Sequence, residues 1–112
     1  QDFEALHLCK LAWAYASLGD KELELFPVLA EAAVHKIRDF SPRDLSALIW
    51  SFAKLDVDAP SLADGVAAQA TALMKEFNAQ DLANLAWAFA RLGRERPALF
   101  EEAARTAISK LQ

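Results

Sequence analysis

Apolar residues recur at helical spacing along most of the chain. From Pro42 they fall at Leu45, Leu48, Ile49, Phe52 and Leu55, which is one face of a helix ending near Leu55. Its start is well signalled. Ser41 is a good N-cap, Pro42 suits the first helical position, and Asp44 stands three residues after the cap. Phe40 before the cap can pack on Leu45 as a hydrophobic staple. Thirty-seven residues on, Phe77, Asn78, Asp81 and Leu82 restate the same signals. Near the start, Phe3 and Leu8 enclose Glu4 and His7, a weaker cap.

The interval of 37 residues runs through the whole chain. It relates Trp13, Trp50 and Trp87; Phe3, Phe40 and Phe77; Leu11, Leu48 and Leu85; and Leu18, Leu55 and Leu92. Residues 40–75 and 77–112 share 12 identities in 36 aligned pairs without a gap, far above chance, so the repeat is real. Each unit (about 3–39, 40–76 and 77–112) reads as two helices, A and B. Helix A should stop near Gly19, Asp56 and Gly93; glycine there can adopt the left-handed conformation that ends helices. Pro60 and Pro97 can open helix B, whereas Leu23 and Pro27 in the first unit suggest a later start. Helix B of the third unit gathers Leu99, Phe100, Ala103, Ala104, Ala107, Ile108 and Leu111 on one face, and Met74 fills the core at the Ile37/Leu111 phase. Gly65 either permits close packing or marks a late helix start. One such pair of helices cannot bury its own apolar faces, but stacked pairs can. The expected architecture is therefore all-α: an α-solenoid of three helix-turn-helix repeats. Gln1 and Gln112 occupy the same repeat phase, which reads as a segment of a longer array with neighbouring repeats beyond it.

Composition supports helices and narrows the chemistry. Ala (24) and Leu (17) dominate the 112 residues, against three Gly and four Pro. A net charge of −4 excludes a uniformly basic nucleic-acid coat. By unit the charge is −3, −2 and +1. The lone Cys9 excludes an internal disulfide and a cysteine-built zinc site. His7 and Cys9 are two apart and cannot face one another on a helix, so no metal site is expected. Gly19, Gly65 and Gly93 lie too far apart for a phosphate-cradling loop, and Asp44 and Asp81 read as helix-dipole residues, not as paired catalytic carboxylates. No catalysis, cofactor or membrane insertion is expected, and the start carries no signal-peptide pattern.

Residues 77–93, FNAQDLANLAWAFARLG, resemble the octotricopeptide repeat proteins, close in pattern to the repeats beside RAP domains and in FAST-kinase-like proteins. The resemblance extends over all three units. The second departs at Ile49-Trp50-Ser51 and at Asp56, and the first at its cap, Leu23 and Pro27. It implies a solenoid that binds single-stranded RNA in a chloroplast or mitochondrion, with a role in transcript stability, processing or translation.

On a wheel at about 100° per residue, Arg43, Ala47, Ser51 and Lys54 lie opposite the apolar face of helix A. Their equivalents are Gln80, Asn84, Ala88 and Arg91, and Leu6, Lys10, Ala14 and Ser17. This stripe holds four cations and no acid. Ala47 and Asn84, with Arg43 and Gln80 a turn earlier, are the base-edge positions; Lys54 and Arg91 are the phosphate candidates. Trp13, Trp50 and Trp87 sit at the edge of the apolar face. Their fixed phase points to packing between repeats, together with the Leu11, Leu48 and Leu85 core, and an exposed Trp could alternatively stack on a base. With so few cations, three repeats should bind RNA weakly at physiological salt. The rival reading is a protein-binding or architectural subunit of a large organellar assembly such as a ribosome or photosynthetic complex. The acidic turns and helix B face suit a basic protein partner, and the apolar Leu6 in the stripe hints the same way.

Overall fold

A computed structural model describes residues 2–18, 25–93 and 97–111. Among them are six α-helices and no strand: α1 (Asp2–Leu18), α2 (Leu25–His35), α3 (Pro42–Lys54), α4 (Pro60–Ala72), α5 (Ala79–Arg91) and α6 (Pro97–Leu111). The bounds of α3 and α5 differ by 37 residues at both ends, and so do those of the single 3₁₀ turns Ile37–Asp39 and Met74–Glu76 that precede them. Helix α3 packs between α1 and α5, and α2 packs on α4.

The caps form as the residues dictate. Ser41 Oγ accepts the Asp44 N–H at 3.2 Å, and Asn78 Oδ1 accepts the Asp81 N–H at 2.7 Å. Each satisfies a backbone donor that a helix start leaves unpaired. Phe40 and Leu45 are buried in one core cluster. At the other end, Asp56 and Gly93 have φ of 58° and 69°. After α3 the Val57 N–H reaches the Phe52 carbonyl at 2.9 Å and the Asp56 N–H the Ala53 carbonyl at 3.0 Å, the paired bonds of a Schellman stop. Asp56 takes a conformation that favours glycine; Asp is among the few side chains that tolerate it. Gly19 and the turn residues 94–96 lie outside the described residues.

Pro60 and Pro97 are the first residues of α4 and α6. Helix α4 runs through Gly65, where an added Cβ would meet Ile37 Cγ1 at 3.7 Å, an ordinary contact. Neither close packing nor a late start therefore explains this glycine. Met74 is buried as expected, and the core includes Phe26 and Phe52, whose rings meet edge-to-face at 5.0 Å.

Three sets of apolar positions depart from the wheel. Leu48 and Leu85 are fully buried, yet Leu11 is 45% exposed. Helices α3 and α5 each pack against an earlier helix, α1 and α3, whereas none of the described helices precedes α1. The same reason leaves Ala14 and Leu18 open. On α6, Leu99 and Ala103 are buried but Ala104 and Ile108 are exposed. The tryptophans are the third set: Trp13 is 55% and Trp87 42% exposed, and Trp50 is half-buried. They are not core residues.

Candidate nucleic-acid interface

The exposed arc of helix A is narrower than a single apolar face implies, because α3 is flanked on both sides. On one side Ser46 Oγ donates to the Asp81 carbonyl of α5 at 2.9 Å. On the other, the Asp44 carbonyl accepts from the Cys9 thiol of α1 at 3.4 Å. Along the arc that remains, α3 presents exposed Arg43 and Lys54 with half-buried Ala47 and Trp50, and α5 presents exposed Gln80, Trp87 and Arg91 with half-buried Asn84; Ala83 and Ala90 of α5 are exposed as well.

Ser51 is corrected by this geometry. It is fully buried, and its hydroxyl donates back to the Ala47 carbonyl at 2.9 Å, so it is not a contact residue. Its counterpart Ala88 is buried too. The tryptophans take the vacated place at the centre of the arc. Trp50 and Trp87 lie side by side with ring centroids 6.2 Å apart and planes tilted by 36°. Trp50 of α3 and Trp87 of α5 thus meet each other at the surface and not in the core.

A cation from the next helical turn covers each ring. Lys54 Nζ stands 5.1 Å from the Trp50 centroid, and the Arg91 guanidinium carbon 5.5 Å from that of Trp87. The i, i+4 spacing of Trp50 with Lys54 and Trp87 with Arg91 carries this arrangement in the sequence. Such a row presents aromatic faces and positive charge together, which suits stacked bases and their phosphates. Trp13 holds the same phase of the 37-residue interval, with Ser17 where the cation stands in the other two.

The cations are not equally available. Arg91 Nε and Nη2 donate to the two carboxylate oxygens of Asp56 at 3.1 and 3.2 Å, and Nε also meets the Ala53 carbonyl at 3.1 Å. A shallow depression of about 480 Å³ lies beside this pair, bounded by Asp56, Trp87, Ala90 and Arg91. Burial raises the Asp81 carboxyl above its ordinary pKa, and the nearby Arg43 guanidinium opposes the rise. Lys10 and Lys54 are exposed. Gln80 Nε2 leans toward Asn84 Oδ1 at 3.4 Å, a long bond that leaves both amides able to find other partners. Ala47 and Asn84 are partly exposed, and the side chain of Leu6 lies outside the described residues.

Elsewhere, burial pushes the Cys9 thiol up to about 12, with the Asp44 charge adding to it. Among the described residues no group of three His, Cys, Asp or Glu side chains is placed to hold a metal. None of the described helices is long and apolar enough to cross a membrane.

Two sequence comparisons bear on identity. No curated protein matches the chain. The family model of the RNA-editing substrate-binding complex 6 protein matches residues 1–112, the entire length. The chain therefore belongs to the RNA-editing substrate-binding complex 6 protein family, a family of RNA-associated helical proteins.

Proposed function

We propose that this chain is a non-catalytic helical-repeat module of an RNA-editing complex that holds single-stranded RNA on the open arc of its first helices. The observation that carries the reading is the surface row of Trp50 and Trp87, each ring covered by a cation. The family match supports an RNA-related role, and the octotricopeptide pattern of residues 77–93 supports a solenoid reading of the three units. In that solenoid α1, α3 and α5 form one layer and the chain is part of a longer array of neighbouring repeats. The family's editing complexes favour a mitochondrial over a plastid address.

The chemistry favours holding over reading. Base–aromatic stacking is worth about 1–3 kcal/mol per base and tolerates any sequence. Amide readout at Gln80 and Asn84 adds some preference in the third unit, while Ala47 offers no hydrogen bond in the second. With Arg91 held by Asp56, phosphate neutralisation is small, so stacking carries most of the affinity.

The test is fluorescence anisotropy of a labelled single-stranded RNA pool titrated with wild-type chain, Trp87→Ala and Lys54→Glu. Trp87→Ala should weaken binding by about five-fold or more with little change in salt dependence. Lys54→Glu should weaken it and flatten the salt dependence. Absence of binding by wild-type chain at low salt, or equal binding by all three, overturns the reading.

A further inference from the structure

On the side of the molecule away from the tryptophan row, a groove of about 410 Å³ runs between α2 and the turn joining α3 to α4. That volume is within the roughly 300–1,000 Å³ of ligand sites. Its floor includes Phe26 and Phe52, the edge-to-face pair of the core. Ala30 and Ala59 line it with short side chains, which leave the space above the two rings open. The ionisable groups of its lining are the carboxylates of Glu31 and Asp58 and the imidazole of His35, and Asp58 already has an interaction within the chain; among the described residues no Lys or Arg lines it. Phe52 lies on the opposite face of α3 from Lys54, so the groove and the tryptophan row can be occupied at once.

We propose that this groove docks a basic, amphipathic segment of a partner protein, whose apolar side chains sit over Phe26 and Phe52 while its Lys or Arg residues meet Glu31, with Asp58 adding to the negative potential of the rim. The charge pattern selects this occupant. Two carboxylates repel RNA phosphates and anionic lipid, and attract a cationic peptide. An apolar trough with charged edges is the surface that binds an amphipathic helix through side chains spaced three and four apart. The proposal is independent of RNA binding: it concerns a different face and stands or falls by different residues.

Random peptides displayed on phage are selected against the immobilised chain, and the enriched sequences are synthesised and titrated by anisotropy. Enriched peptides should carry two or more of Leu, Ile, Phe and Trp at helical spacing beside Lys or Arg. Glu31→Lys should weaken them by about five-fold or more at low salt. Ala30→Trp, which fills the groove, should abolish binding, and Lys54→Glu on the other face should leave it unchanged. Chemical-shift changes in the wild-type chain give a measure that needs no variant: they should centre on Ala30, Val34, Val57 and Leu62. The proposal is overturned by a selection without enrichment, by enriched peptides lacking basic residues, by binding that Ala30→Trp leaves intact, or by shifts centred elsewhere. Sedimentation showing a dimer of the wild-type chain that Ala30→Trp dissolves would make a second copy the occupant and overturn it equally.

Discussion

The Asp56–Arg91 pair restrains the proposed interface, and Asp56→Asn releases that restraint. Both groups are largely exposed, at 61% and 44%, so the pair contributes no more than about 0.2–1 kcal/mol to stability. Asn tolerates the left-handed backbone at φ 58°, so the stop after α3 survives. The Asn carbonyl can still accept from Arg91 Nε, which keeps the guanidinium over Trp87. What changes is charge. A phosphate bound to Arg91 would lie about 6 Å from the Asp56 carboxylate, a repulsion of roughly 0.7 kcal/mol in a water-like dielectric. With a screening length of about 10 Å at 0.1 M salt, roughly half of that term survives. Adding the attraction of a guanidinium no longer neutralised by a carboxylate gives roughly 1 kcal/mol, about a five-fold gain in RNA affinity. One more available cation should steepen the logarithmic salt dependence by about 0.7. The assay is anisotropy of a labelled oligouridylate at four salt concentrations, with Glu31→Gln as a control that removes one acid from the opposite side. Unchanged or weaker binding by Asp56→Asn would refute the reasoning. So would an equal gain from Glu31→Gln, since net charge and not Arg91 would then explain it.

Gly93 has φ of 69° and open space where a Cβ would stand, so Gly93→Ala should destabilise the fold by about 1–2 kcal/mol through backbone strain alone, read as a lower urea midpoint with unchanged slope. Gly65→Ala should do the reverse: its Cβ meets only an ordinary contact, and the helix interior gains about 0.5–1 kcal/mol in the same urea titration. The Cys9 thiol should resist thiol reagents in the native chain and react promptly in denaturant, because its folded pKa is raised from 9.0 to about 12. Its folded state holds the proton that the unfolded state releases, so this contribution to stability is complete below pH 9 and is lost progressively between pH 9 and about 12; Cys9→Ser should flatten that part of the pH–stability curve.

Several features follow from local sequence because the forces behind them are local. Ser41 and Asn78 cap the helices they precede, since each needs only a side-chain oxygen three residues from a free N–H. The stops at Asp56 and Gly93, the proline starts of α4 and α6, and the deeply buried stripe of Leu45, Leu48 and Phe52 are legible for the same reason. The cation over each tryptophan follows from i, i+4 spacing within one helix.

Other features depend on what lies beside a helix, which its own periodicity does not register. Hydrophobic periodicity finds one buried face, but α3 has three: one toward the core and two against α1 and α5. The lateral faces are built from Ser46, Ser51, Ala53 and the backbone, small groups that a wheel reads as neutral or exposed. Helix neighbours therefore bury Ser51, narrow the open arc and bring tryptophan to its centre. Leu11 and Ile108 show the converse, apolar residues left open where none of the described helices covers them. The Arg91–Asp56 pair and the groove between α2 and the α3–α4 turn likewise join residues from different helices. Local residue order set where helices begin, end and bury their widest face; the packing of one helix against the next selected which side chains were left to meet a ligand.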